Sequence, residues 1–291
     1  MNNKKTKELL LSEILWKIAK IILYVFLIIL SVSFFAVLIW SFVTSLKTAP
    51  DYMENPFGLP KIIDFANYKQ VLENLQYKGY GIFGMLGNTM ILVAWNIIVT
   101  LTLPNMVAYV FARFDFKGKA VMQFIIYISI LIPIMGTSSS TMWFLNATGL
   151  YDSFLGLFIL NAGGFGVGQI MLTNLYKGIS KDYADAAYMD GASEWRVFVS
   201  VYYPHAKGLN LLFVVRGFIG VWNDYMTGYL YLPSHPTLAL GLQQMQAQFV
   251  DFGNDVPVMF AGVVLSMIPI LILYFRFSKN IMTGTVIGSL K

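Results

Sequence analysis

The apolar positions of this chain gather into long, nearly unbroken runs, without the alternation of a half-buried strand or the one-sided stripe of a surface helix. A helix needs roughly 20 mostly apolar residues to cross a hydrocarbon core of about 30 Å. The run 21–43 meets this without a single charge, and further runs at 87–111, 120–143, 154–175, 209–230 and 257–277 predict five more spans. Asn88, Asn96 and Pro104 interrupt the second run, Pro133 the third, and the stretch Gly163–Gly168 the fourth. Such breaks are tolerated where neighbouring helices satisfy the freed backbone groups, so these spans belong inside a bundle. The expected fold is an all-α membrane protein built as a six-transmembrane-helix bundle. Residues 1–20 and 278–291 flank a transmembrane domain at 21–277, with a long outer loop at 44–84 and a loop at 177–208 between spans four and five.

Composition agrees: 57% of residues are hydrophobic and 12% charged, against about 25% charged in soluble domains. The first run is too long for a signal-peptide core, and Thr44-Ser45-Leu46-Lys47 follows it where a small-residue cleavage site would stand, so it is expected to remain as an anchor. Charge sets orientation. Lys4, Lys5, Lys7, Lys17 and Lys20 precede the first span, and Arg113, Lys117 and Lys119 fill the second connection. Lys177, Lys181, Arg196 and Lys207 lie in the fourth connection, and Arg276, Lys279 and Lys291 follow the last span. The third connection and the fifth, at 231–256, hold no lysine or arginine, so both termini are expected in the cytoplasm. The net charge of +5 is spread through these loops and predicts no nucleic-acid face. With no cysteine and two histidines, His205 and His235, expected on opposite sides of the membrane, no metal site is predicted.

The cytoplasmic loop 177–208 carries the most local information. Ser180 predicts a helix cap with Asp182 in the first turn, Asp190-Gly191 a turn, and Ser193 the cap of a second helix that Pro204 is expected to stop. Trp195, Phe198, Val199 and Tyr202 form one apolar stripe on that helix, and Ala184, Ala186 and Ala187 make a small-residue patch. The hairpin either docks a partner, or lies on the membrane or packs on the chain's own bundle. In the outer loop, Asp64 predicts the cap of a short helix within 65–76.

These residues resemble the EAA loop of ABC-importer permeases: Asp185-Ala186-Ala187, then Asp190-Gly191-Ala192, then Tyr203-Pro204. The resemblance runs along nearly the whole chain and looks closest to the carbohydrate branch, as the second permease of the maltose type. Thr44–Lys47, Asn67-Tyr68, Asn88-Thr89, Ala108–Arg113, Phe116–Lys119, Gly149–Ser153, Trp222-Asn223-Asp224 and Gly284–Gly288 carry it. It implies a non-catalytic subunit that moves a sugar or oligosaccharide through a bacterial inner membrane. The implied partners are two copies of an ATPase that bind ATP and Mg, a second homologous permease, and an extracytoplasmic sugar-binding protein. Asp185, Ala186, Ala187, Asp190, Gly191, Ala192, Trp195, Arg196 and Pro204 would form the coupling element, and Gly284 and Gly288 would lie in a tail near the ATPases. Asp185 is shorter than the family's glutamate, and Tyr203 replaces its leucine.

Polar residues inside apolar runs are costly and usually face a bundle interior or a water-filled path. Asn88, Asn223 and Asp224 are therefore candidates for the translocation path, with bonding to neighbouring backbone as the alternative. The chain lacks the phosphate-binding GxxxxGK[ST] motif and any nucleophile elbow, so it is not expected to be an enzyme. An ABC permease for another solute and an ion-coupled secondary transporter remain as alternatives; the second leaves the hairpin without a role.

Overall fold

The computed structural model describes residues 2–132, 136–163, 165–252 and 256–289. The chain is mostly helical, and among the described residues three helices are long and apolar enough to cross a membrane: 13–45, 82–113 and 256–278. It divides into two units, one of residues 1–71 and 249–265, the other of 72–248 and 266–291.

In the first unit α1 (Asn2–Ser45) is one continuous helix, so the segment expected to precede the first span is helical too. From Glu13 to Ile39 its side chains are exposed, as suits a helix apolar on all sides. Its C-terminal end is a polar joint. The fully buried Lys47 donates from Nζ to the carbonyls of Asn55 (2.7 Å) and Pro56 (3.2 Å). Thr48 caps α2 (Ala49–Glu54), and Asp64 caps α3 (Ala66–Asn74) through Ala66 N at 2.8 Å. Asn67 then donates to the carbonyls of Ser45 and Lys47 at 2.9 and 2.8 Å, and Ser45 Oγ meets the Tyr68 hydroxyl at 2.6 Å. Two separated pieces of the sequence pattern, 44–47 and 67–68, are thus two halves of one contact.

The second unit opens with a two-stranded hairpin, β1 (Gln76–Tyr77) and β2 (Tyr80–Gly81), turned by Lys78 and Gly79 at φ 49° and 80°. Next comes α4 (Ile82–Arg113), which keeps Pro104 within it. The third, fourth and fifth apolar runs are each a pair of shorter helices: α5 (Lys119–Leu131) with α6 (Ser138–Ala147), α7 (Phe154–Leu160) with α8 (Val167–Lys177), and, after the hairpin described below, α12 (Lys207–Asn223) with α13 (Tyr225–Tyr231). Pro133 and Gly164, read as interruptions, lie outside the described residues. The α7–α8 break includes Gly166 at φ 143°, a region that L side chains avoid. A Cβ built on Gly168 would stand 3.5 Å from the Phe213 ring, an ordinary contact.

Helix α4 packs against α8 and α12 (Lys207–Asn223). At their meeting point the Tyr176 hydroxyl donates to Asn105 Oδ1 (2.6 Å), and Asn105 Nδ2 donates to Asn210 Oδ1 (2.8 Å). All three side chains are buried. Asp224 ends α12 and, through Thr227 N at 2.9 Å, caps α13 (Tyr225–Tyr231), breaking a run that the sequence presents as continuous. The connection 231–256, expected as a plain loop, contains α14 (Leu238–Phe252). Its first turn is fixed by Thr89, whose Oγ1 accepts from Leu238 N at 2.9 Å. Helix α15 (Val256–Ser289) ends the description and includes most of the segment read as a tail.

Candidate functional site

The loop after α8 folds as two short helices, α9 (Lys181–Met189) and α10 (Glu194–Val197). Ser180 caps the first by accepting from Asp182 N at 3.3 Å, and Ser193 caps the second by accepting from Arg196 N at 3.4 Å. Between them Ala192 N bonds Ala187 O (3.0 Å) and Gly191 N bonds Tyr188 O (2.9 Å), with Gly191 at φ 77°. This is a Schellman turn, and it needs a residue that tolerates the left-handed conformation.

Pro204 does not stop the second helix. The chain widens into a π-helical turn over Phe198–Tyr202, where Tyr203 N bonds back to Phe198 O, and continues through α11 (Tyr203–His205) into α12. A proline lacks the N–H that would bond four residues back, and a widened turn lets its ring fit inside a helix.

The apolar stripe divides between two surfaces. Phe198 and Tyr202 are buried, together with Val197 and Ala184, against Ala108 and Tyr109 of α4 and Leu172 and Tyr176 of α8. Tyr109 is the centre, with ring centroids 5.0 Å from both Phe198 and Tyr202. Trp195 is 61% exposed, Met189 89%, and Tyr183 and Val199 are also exposed. Ala186 is exposed and Ala187 half-buried, so the small-residue patch is split as well. Tyr203 sits half-buried against Phe198. Asp185, Asp190, Gly191, Arg196 and Pro204 lie on the outer surface, and Ala192 is half-buried.

Polar contacts add to this seat. Glu194 accepts hydrogen bonds from the hydroxyls of Tyr109 on α4 and Tyr188 on α9. Burial, then the Glu194 carboxylate, push the Tyr188 hydroxyl above the usual tyrosine range and keep it a donor. The Arg113 guanidinium lies 5.3 Å over the Tyr202 ring. Beside it, a hydrogen bond from Lys119 and its charge hold the Asp115 carboxyl below the usual carboxylate range. Glu194, Tyr109 and Tyr188 were not among the site residues expected from sequence. Glu194 stands off the apolar stripe, and only its position opposite two tyrosines distinguishes it from a solvated charge.

The three candidates for the path part company. Asn88 is buried and donates to the Pro236 carbonyl at 3.0 Å, while the exposed Asn223 donates to its own helix at Ile219 O. Asp224, half-buried, lines a cavity with Asn96, Asn161 and Thr227. Gly284 and Gly288 lie in the C-terminal part of α15.

Comparison with known proteins follows the same outline. Residues 105–284, more than half of the chain, match the family model described as binding-protein-dependent transport system inner membrane component. Among curated relatives, the diacetylchitobiose uptake system permease protein NgcG of Streptomyces coelicolor is 26% identical over 88% of this chain and 83% of its own length. The arabinooligosaccharides transport system permease protein AraQ of Bacillus subtilis is 23% identical over 95% of this chain and 97% of its own. A chain from the crystal structure of a bacterial ABC transporter involved in the import of the acidic polysaccharide alginate superposes with a TM-score of 0.74. It is 23% identical, and the match covers 90% of this chain and 96% of that one.

Proposed function

Because the chain belongs to the family of binding-protein-dependent transport system inner membrane components, we propose that it is the permease subunit of an ATP-driven importer for a sugar or oligosaccharide. Several curated relatives carry names of sugar and oligosaccharide uptake permeases, which supports the substrate class. In this reading the six apolar runs make six crossings, three as single helices and three as helix pairs. Both termini and the α9–α10 hairpin face the cytoplasm. Two ATPase copies, a second permease and a sugar-binding protein complete the assembly, and the ATPases hold ATP and Mg.

The observation that carries the reading is the two-sided hairpin. Its inner side is continuous with α4 and α8 through Tyr109, Phe198, Tyr202 and Tyr176. Its outer side presents Met189, Trp195 and Tyr183. Exposed large apolar side chains suit a protein partner, and aromatic residues and methionine are enriched at such interfaces. When the ATPases close on ATP, a hairpin seated in this way moves as part of α4, α8 and α12, not as a loose loop. The bundle changes state only if the ATPase binds its two states with different affinity.

Purification of the tagged chain from mild detergent is expected to recover an ATPase and a second permease in stoichiometric amounts. Ala186→Phe, on the exposed side of α9, is expected to lose the ATPase and keep the second permease. A solitary chain that transports without an ATPase would instead favour the secondary transporter.

A further inference from the structure

The chain that follows α1 turns back along that helix before it moves on. It leaves the helix end at Thr48 and returns at Asp64, whose N–H donates to Leu46 O at 2.8 Å. At the apex of this dip the Trp40 indole donates to Pro56 O at 3.0 Å, and the Phe57 ring stacks on Trp40 with centroids 5.9 Å apart. Trp40 stands five residues before the end of α1, about 7 Å below it along the axis. Side chains on a helix lean toward its N-terminus, which here is toward the middle of the span. A second helix gives a similar depth. Trp40 also meets Phe260 edge-on at 4.9 Å, and Phe260 lies four residues into the apolar α15, about 6 Å from its start.

The bonds that hold the dip suit an apolar medium. Lys47 is buried, and its ammonium donates to Asn55 O and Pro56 O. Asn55 N bonds Asp51 O at 3.0 Å, and Gly58 N bonds Asn55 Oδ1 at 2.9 Å. Pro56 and Pro60 have no N–H to satisfy. In water the solvent would satisfy these carbonyls, and burying an ammonium to reach them is expensive. In lipid they must be satisfied from within the chain. The charged side chains of the dip, Glu54 and Lys61, pair with each other. Its apolar side chains, by contrast, are uncovered: Met53 is 76% exposed, Phe57 85% and Leu59 78%, and Ile62 and Ile63 are exposed as well. Phe57 joins them to α1, where Ile39 and Phe42 are exposed on either side of Trp40 in sequence. Exposed apolar surface of this kind marks a protein or membrane contact. The depth decides between them, because interfacial segments sink about 5–10 Å into the boundary of headgroups and acyl chains.

We propose that residues 53–63 rest in the outer leaflet of the membrane, with the acyl chains of phospholipid as their partner, so that the outer loop starts from a lipid-held step. That this end of α1 is the outer one rests on the orientation in the importer reading above.

The chain has no cysteine, so Phe57→Cys can carry a single environment-sensitive fluorophore. The tagged chain, purified with whatever partners it keeps, is placed in phosphatidylcholine vesicles. The same preparation without the cysteine, treated alike, gives the background. Replacing the lipid by its analogue brominated in the acyl chains is expected to remove most of the emission, while iodide in the water removes little. Quenching by iodide and not by the brominated lipid would place residue 57 in water, and quenching by neither would place a protein over it. Either result overturns the proposal. Should Phe57→Cys fail to insert, Leu59→Cys on the same dip is read in the same way. These signals need no ATP, sugar or ATPase, so a failure of the importer reading shows in the co-purification and leaves them unchanged.

Discussion

At the residue scale, Gly191 and Glu194 divide the work of holding the hairpin. Gly191 sits at φ 77° with open space around its Cα, so a substitution there meets no clash and suffers only the conformational cost. For an L residue that cost is about 1–2 kcal/mol. Gly191→Val is therefore expected to leave the complex assembled but to loosen the turn. Basal ATP hydrolysis would persist while sugar-stimulated hydrolysis and uptake fall together, measured on the same proteoliposomes. Normal sugar-stimulated hydrolysis would remove the turn from the coupling mechanism. Gly191 was legible in the sequence because Asp-Gly between two capped segments has one economical conformation. Glu194 was not, because its meaning depends on Tyr109, which lies 85 positions away.

At the element scale, the apolar runs were readable and their breaks only partly so. Gly163–Gly168 announced the α7–α8 break, whereas Asp224 interrupts its run by one residue, too little for hydrophobicity taken over a whole span to register. Helix α14 was missed because the glutamines in 238–252 interrupt its apolar positions, although Leu238, Leu240 and Met245 are buried. Several pieces of the family pattern turn out to be joints between elements. Asn88 and Thr89 hold the start of α14. Ser153 caps α7, while Asp152 accepts from Ser234 N at 2.9 Å. Burial raises the Asp152 carboxyl, but that bond and nearby His235 outweigh it and leave the group below its usual range. The Tyr176–Asn105–Asn210 chain joins three helices in the same way. Tyr176→Phe strips a hydrogen bond from a buried carboxamide, and polar contacts between membrane helices are worth about 1 kcal/mol. A thermal unfolding midpoint a few degrees lower is expected for the purified complex; an unchanged midpoint would make the chain of bonds incidental.

At the scale of the whole molecule, the account joins a rigidly seated hairpin to a bundle with breaks in its helices. The core around Tyr109 ties the hairpin to α4, α8 and α12, and two of the breaks meet at the cavity beside Asn96. Motion imposed on one end of this unit therefore has a path of packed side chains to the other. The family was legible from the ordered series of short motifs, several of which lie at joints between elements. The lining of that cavity was not, because its residues are spread over α4, α7 and α12–α13 and form no contiguous motif. The central claim, that the exposed side of the hairpin meets the ATPase, is open to one direct measurement. The chain has no cysteine, so Met189→Cys supplies a unique thiol at an exposed position next to the turn. With a short bifunctional thiol–amine reagent in native membranes, it is expected to crosslink to the ATPase in high yield, and nucleotide should alter that yield. Efficient labelling of Met189→Cys by a soluble thiol reagent with no ATPase crosslink in any nucleotide state would contradict the account.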